Sequence, residues 1–222
     1  MKKLVIAIDG PAGAGKSTVA KLAAEKLGCT YIDTGAMYRA VAWKTLQQRE
    51  PVTDALILRV VKDIDVKLSY ADGKTRVLVD GRDVSGEIRT PEVSRIVSQV
   101  AALGPVREKM VDLQREMARA GGVLMDGRDI ASHVLPDADV KIFLTASIEE
   151  RARRRYKEMK EKGYDVTLES LQKDIAARDK ADSEREISPL VRVPEAVLLD
   201  TTGLSIPEVV TKILALCEAK ER

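Results

Sequence analysis

Apolar residues in this chain fall into short runs set between longer stretches of helical spacing. Leu4-Val5-Ile6-Ala7-Ile8, Thr30-Tyr31-Ile32, Val123-Leu124-Met125, Val140-Lys141-Ile142-Phe143-Leu144 and Ala196-Val197-Leu198-Leu199 are brief and nearly continuous in apolar character. That is the pattern of strands buried on both faces of a parallel sheet. Strands alternating with helices predict an α/β fold with five parallel strands, and ligands at the strands' carboxyl ends. Polar residues gather at that rim. A glycine-rich stretch follows the first strand, Asp33-Thr34-Gly35 the second, Asp126-Gly127-Arg128-Asp129 the third and Asp200-Thr201-Thr202 the last.

One segment, 65–84, breaks the rhythm. Asp65-Val66-Lys67-Leu68-Ser69-Tyr70 alternates with period two, Asp72-Gly73 is a hairpin signal, Thr75-Arg76-Val77-Leu78-Val79 follows, and Asp80-Gly81 marks a second turn before Asp83-Val84. This predicts a small antiparallel meander inserted between the second and third core strands. Helical patterns flank it at 36–48, 54–62, 91–102 and 105–120. No internal repeat or low-complexity tract is evident.

The stretch after the first strand carries the most specific chemistry. Gly10-Pro11-Ala12-Gly13-Ala14-Gly15-Lys16-Ser17-Thr18 has the spacing of a phosphate-binding loop, with a strand before it and an alanine-rich helical pattern after it. Glycines let the backbone wrap an anion, and a helix starting near Lys16 points free amides at the same spot. Lys16 reaches the β and γ phosphates of a nucleoside triphosphate, and the Ser17 hydroxyl is placed to ligate Mg²⁺. Asp9 and Asp126 are alternative supports for that ion.

Composition narrows the partners. The 37 basic and 35 acidic residues leave a net charge of +2, and only 3% of residues are aromatic, so neither bulk attraction to nucleic acid or membrane nor a stacking ladder is expected. Cys29 and Cys217 lack metal-ligand spacing and read as small hydrophobes, and the single His133 excludes a histidine metal cluster. Met1-Lys2-Lys3 with five apolar residues is too short for a signal peptide, and no run reaches membrane-spanning length. A cytoplasmic, soluble monomer is the expectation.

A phosphate loop is shared by kinases, GTPases and motor ATPases. The guanine motif Asn-Lys-x-Asp is missing. Arg39, Arg107, Arg128, Arg178 and Arg185 fall near predicted strand ends, and a set of forked guanidinium groups suits two phosphate-bearing substrates held together. Each alone reads as a surface ion pair; together they suit phosphoryl transfer, which needs positioning and charge neutralisation. A nucleotide-dependent switch, the rival from another class, has no second anion to hold.

At these residues the chain resembles the bacterial cytidylate kinases. The matching stretches are Ile8 through Ser17, Asp33-Thr34-Gly35-Ala36-Met37-Tyr38-Arg39, Asp83-Val84-Ser85-Gly86-Glu87-Ile88-Arg89-Thr90, Ser98-Gln99-Val100-Ala101-Ala102 with Val106-Arg107, Asp126-Gly127-Arg128-Asp129, and Arg178-Asp179 through Asp182 and Arg185. The resemblance implies a three-layer P-loop NTPase fold with a five-stranded parallel sheet, a small antiparallel β insert and a lid. The core would comprise 1–33, 103–150 and 166–222, a CMP-binding region 34–102, and a lid 151–165. It implies transfer of the γ phosphate of Mg·ATP to CMP or dCMP, in pyrimidine nucleotide metabolism. Arg39, Arg128 and Arg185 would hold the acceptor phosphate, serving catalysis with Lys16. Arg178 and Asp182 would bind the sugar hydroxyls. Ser98, Arg107 and Asp129 would read the base, with Thr34 and Tyr38 lining that pocket.

The chemistry of cytosine fits that assignment. Its N4 amino donor lies beside the N3 and O2 acceptors, so a carboxylate and a guanidinium complement it, whereas uracil would oppose an acceptor to Asp129. Kinases acting on UMP, AMP or a non-nucleotide acceptor are the nearest alternatives. Among the basic residues of 151–162, at least one of Arg151, Arg154 and Arg155 is expected on the triphosphate, the rest making i,i+4 pairs with Glu149, Glu150, Glu158 and Glu161. His133 is expected to be a rim residue without a role. No catalytic base is required, because a phosphate monoester with a second pKa near 6 is already largely ionised at neutral pH.

Overall fold

In a computed structural model, which describes residues 3–71 and 74–221, the chain alternates strand and helix in the expected order. Strand β1 (Val5–Asp9) passes through the glycine-rich loop into α1 (Lys16–Leu27), and β2 (Thr30–Asp33) leads into α2 (Thr34–Leu46). After α3 (Asp54–Asp63) comes an antiparallel ribbon of β3 (Val66–Ala71), β4 (Lys74–Val79) and the two-residue β5 (Arg82–Asp83). Helices α4 (Pro91–Ala102) and α5 (Gly104–Ala118) return to β6 (Val123–Gly127), followed by β7 (Val140–Thr145). Two mutually packed helices, α6 (Ile148–Glu161) and α7 (Leu168–Glu184), precede β8 (Val197–Asp200) and α8 (Ile206–Glu221).

The main sheet runs β2-β6-β1-β7-β8, and every neighbouring pair is parallel. From β1 the chain moves first to one side and later to the other, so the crevice at the carboxyl end of β1 is the topological switch point where ligands bind such sheets. Period two then sorts the side chains. Ile6, Ile8, Leu124 and Ile142 pack against α1 and α8, while Ala7, Ile32 and Met125 share the opposite face with Val111 and Ala118 of α5. Helix α1 buries Val19, Ala20, Ala23 and Ala24 in a single stripe. It stops at Gly28, whose φ of 64° allows the Cys29 amide to reach back to the Ala24 carbonyl.

A separate apolar cluster lies on the acceptor side. Helix α2 is buried almost all round, because α3, α4, α5 and the inner face of the ribbon close on it through Ile57, Val77, Val79, Val97, Val106 and Met110. Register in the ribbon is fixed by its turns. Asp80 and Gly81 both take positive φ, the pair a tight hairpin turn demands, and the Asp65 amide donates to the Asp80 carboxylate at 2.9 Å. The Asp72-Gly73 hairpin signal, like Met1 and Lys2, lies outside the described residues. Helix α2 starts two residues before the apolar pattern suggests, because the Asp33 carboxylate caps it by accepting from the Ala36 amide at 2.9 Å. Among the described residues no helix is long and apolar enough to cross a membrane.

Candidate functional site

The glycine-rich loop is shaped by backbone contact. Gly10 lies against β7 so closely that a Cβ would overlap the Leu144 carbonyl, and Gly13 and Gly15 carry φ values of 74° and 88°. The first amides of α1 therefore face the loop's hollow. Lys16 is buried, and its Nζ donates to the loop carbonyls of Gly10 and Pro11 at 2.7 and 2.8 Å. Burial, with Arg128 nearby, pushes its pKa well below the usual lysine value, against the pull of Asp126, Asp9 and Asp182. A phosphate in the hollow would supply the counter-charge this lysine lacks.

Parallel register lines Ile8 up with Asp126 and Asp9 with Gly127, and the two rim carboxylates have different partners. Asp9 accepts from the amides of Ile130 and Ala131, both at 2.8 Å, so it holds the π-helical turn Ile130–Val134 that follows Arg128 and Asp129. Asp126 accepts from the Ser17 hydroxyl at 3.1 Å and the Tyr31 hydroxyl at 2.7 Å. Burial raises both carboxyls to about 6. Of the two candidates for supporting Mg²⁺, Asp126 is the one beside Ser17. A hydroxyl and a desolvated carboxylate make the sparse oxygen set suited to Mg²⁺, which takes its other ligands from water and phosphates.

The arginines converge, though by a different route from the one expected. Only Arg128 sits at a strand end. Arg39 is on α2, Arg107 on α5, Arg178 on α7, and Arg185 is the residue that ends α7. Helices that pack over the rim deliver them, because guanidinium stems reach across from elements whose own backbones stay outside the crevice. Asp182 accepts from Arg128 Nε at 2.8 Å and lies 3.9 Å from Arg178 Nε, which has no hydrogen-bond partner among the described residues. Burial, with other arginines close by, lowers Arg39 to about 9 and Arg178 to about 10. Cations outnumber carboxylates here. The site is built for an anion.

Deeper in the crevice, Asp129 lies between two guanidinium groups. It is hydrogen-bonded to Arg107, itself only 2% exposed, and its other oxygen is 3.3 Å from Arg185 Nη2. Arg107 also donates to the Ala101 carbonyl at 3.2 Å, and its guanidinium lies 5.5 Å from the centre of the Tyr38 ring. Ser98 is on α4, three residues before Ala101 in the same helix. Thr34 has its hydroxyl committed elsewhere: it donates to the Asp126 carbonyl at 2.7 Å, and Gly127 is glycine where a Cβ would come within 2.6 Å of that oxygen. His133 is exposed, and its carbonyl accepts from Arg115 at 2.8 Å.

Helices α6 and α7 reach the loop from the other side. Arg151 donates to the Ala12 carbonyl at 3.0 Å and Arg154 to the Ala14 carbonyl at 3.2 Å, while Arg155 pairs with Glu158. Asp179 joins this contact, taking Arg151 at 2.7 Å and the Ala12 amide at 3.3 Å. Two further residues were not singled out by the sequence reading. Arg89 reaches from the insert side to the Asp33 carboxylate at 2.7 Å, and Tyr31 fixes Asp126. Arg89 lies in the stretch Asp83 to Thr90 that carries the family likeness, whereas Tyr31 reads in sequence as an ordinary strand residue.

The model of the family described as cytidylate kinase matches residues 6–219. A cytidylate kinase of Bacillus velezensis is 56% identical over 222 residues, covering all of this chain and 99% of that protein. Another, of Symbiobacterium thermophilum, is 52% identical over 218 residues, covering 97% of this chain and 96% of the relative. Among solved structures, an uncharacterised protein of Eubacterium ventriosum aligns with a TM-score of 0.55 at 12% identity over 98% of this chain and 99% of its own. A sugar kinase from a Janibacter species aligns with a TM-score of 0.51 at 13% identity, over 98% and 95% respectively. At such identities the structural likeness concerns the fold alone.

Proposed function

The chain belongs to the cytidylate kinase family, and from that premise we propose that it moves the γ phosphate of ATP to CMP or dCMP, with the arginine cluster as the acceptor clamp. The observation that carries this reading is the excess of guanidinium groups, Arg39, Arg128, Arg178 and Arg185, over the carboxylates Asp129 and Asp182 set among them. A dianionic acceptor phosphate supplies the missing charge and lies opposite the donor loop.

In this reading ATP phosphates lie in the hollow of residues 10–18, with Lys16 transferring its hydrogen bonds from the Gly10 and Pro11 carbonyls to phosphate oxygens. Arg39, Arg128 and Arg185 orient the acceptor phosphate so that one of its oxygens attacks the γ phosphorus in line as the bond to the ADP oxygen breaks. Arg178 and Asp182 take the sugar. Arg107 and Asp129, buried and already paired, present a donor and an acceptor to cytosine, with Ser98 of α4 as the third base-reading residue. Ser17 and Asp126 would hold Mg²⁺, which would supply charge neutralisation to the transferring phosphates.

The segment 151–165 serves as a lid. Its helix α6 meets α7 through a small apolar cluster, Ala152, Leu171 and Ile175 with Tyr156 and Val166 packed against them, while exposed ion pairs such as Lys162 with Glu158 hold its tip, so it opens at lower cost than the core. Arg151 and Arg154, already on loop carbonyls, are the lid residues nearest the donor. Region 34–102 forms the CMP-binding part, and the protein acts as a cytoplasmic monomer. The deciding assay is ADP release from Mg·ATP with CMP, dCMP, UMP, AMP or no acceptor. Strong selectivity for CMP and dCMP supports the reading; preference for another nucleotide removes the base assignment, and acceptor-independent hydrolysis alone removes the transfer.

A further inference from the structure

The buried face of α5 consists of Val106, Arg107, Met110, Val111, Gln114 and Ala118. Two of these six are polar, seven residues apart, so they lie two turns apart on one side of the helix. The first is the guanidinium beside Asp129. The second, Gln114, is 0% exposed, and among the described residues neither its Oε1 nor its Nε2 has an aligned hydrogen bond. A primary amide offers two donors and an acceptor with two lone pairs, and burying it unsatisfied is costly. The apolar neighbours Met110 and Val111 would accept a leucine at this position without that penalty.

What Gln114 faces gives it a use. The Tyr38 hydroxyl, buried and likewise without an aligned hydrogen bond, has the Gln114 side chain next to it and Arg107, Asp129 and Arg185 within its electrostatic reach. The Tyr38 ring in turn lies against the Arg107 guanidinium, whose Nε is also unpartnered. Four buried polar atoms with unmet valence thus gather between α2 and α5, behind the Arg107 and Asp129 pair. Small rotations of Tyr38 and Gln114 would satisfy several of them at once, and the same rotations set the stacking of the ring on Arg107.

We propose that Gln114 is a positioning residue for base discrimination: its amide fixes the Tyr38 hydroxyl, and the Tyr38 ring fixes the Arg107 guanidinium against Asp129. The inference rests on the reading of Arg107 and Asp129 as the pair that meets the base. A guanidinium free to rotate still neutralises charge but no longer presents its donors at fixed positions, so discrimination falls more than turnover does.

The test measures kcat and KM for CMP and UMP in Gln114→Leu, Tyr38→Phe, the double variant and Asp129→Asn. Each ratio of kcat/KM for CMP to that for UMP is taken within one preparation, which makes it independent of the folded fraction. Gln114→Leu is expected to lower the ratio about tenfold, chiefly through a higher KM for CMP. Tyr38→Phe should do the same, and the double variant should be no worse than the poorer single, since both act along one route. An unchanged ratio in Gln114→Leu, beside a lowered one in Asp129→Asn, overturns the inference and leaves the base reading standing. Additive losses in the double variant overturn it too. If Asp129→Asn leaves the ratio unchanged, the base reading fails and this inference with it. Should Gln114→Leu not fold, Tyr38→Phe, which deletes one oxygen, decides: an unchanged ratio there overturns the inference.

Discussion

The phosphate-loop side of the crevice and its arginine side, the donor and acceptor halves of the proposed function, are built by opposite means. The donor half is nine consecutive residues whose shape is set by backbone: glycines at positive φ, a close approach to β7, and the open end of α1. The acceptor half draws single side chains from α2, α5, the turn after β6 and α7, and holds them by ion pairs at Asp129 and Asp182. A backbone cradle recognises phosphate as such, which every nucleoside triphosphate shares. Side chains gathered from distant elements recognise one particular molecule. Under the proposed function the general task is local and the specific task is tertiary.

Substitutions on the two sides should therefore fail differently. Lys16→Ala is expected to give the largest effect, lowering transfer to CMP, dCMP and UMP alike by about 10²–10³-fold and leaving their ratios unchanged. Steady-state rates with each acceptor check this, and a change confined to one acceptor would break the division between the halves. Next comes a pair of glycines. Gly10→Ala places a methyl on the Leu144 carbonyl, backbone that cannot step aside, whereas Gly86, at φ −78° and with nothing within 4 Å of its would-be Cβ, has room for one. Thermal unfolding should show Gly10→Ala destabilised by about 3 kcal/mol or more and Gly86→Ala within about 0.5 kcal/mol of the parent.

The same division explains what was legible in the sequence. The core strands could be read because they are short apolar runs, buried on both faces in β1 and β6, although the edge strand β8 leaves Val197 and Leu198 exposed, and the loop could be read because all its parts are adjacent. The arginines were visible by type and by family likeness, but their placement was not. It depends on how α2, α5 and α7 lie across the rim, and apolar periodicity specifies a helix without specifying its reach. Asp9 is the clearest case. Beside the loop it reads as a candidate support for Mg²⁺, yet its partners are amides 121 and 122 residues away, brought to it by the pairing of β1 with β6. Gln114 was hidden for the complementary reason, since one amide within an amphipathic stripe carries no signal until the helix is packed.

A smaller effect sharpens the acceptor side. Asp129→Asn keeps the size of the side chain but replaces one acceptor oxygen with an NH₂ donor and removes the charge between Arg107 and Arg185. The preference for CMP over UMP should fall by roughly 10–100-fold, with ATP affinity unaltered, as judged by kcat/KM for the two acceptors and by ATP titration. Retained preference would mean that the base is read elsewhere.

The smallest expected effect lies at the seam between the halves, where Asp9 ties the end of β1 to the turn carrying Arg128 and Asp129. In the folded protein its carboxyl titrates at about 6, raised chiefly by burial from 3.8. Between those values the folded state holds more protons at this position than the unfolded chain, so by linkage this group makes stability fall as pH rises from about 4 to about 6. The full span is at most about 3 kcal/mol, spread over the whole window. Asp9→Asn cannot titrate and should remove this part of the slope. It should also lower Tm at neutral pH, because an amide nitrogen then faces one of the two backbone N–H donors at Ile130 and Ala131. Comparing Tm of the two proteins from pH 4 to pH 7 separates the contributions: parallel curves would mean that Asp9 does not titrate in this range, and coincident curves would mean that the seam is not held by this carboxylate.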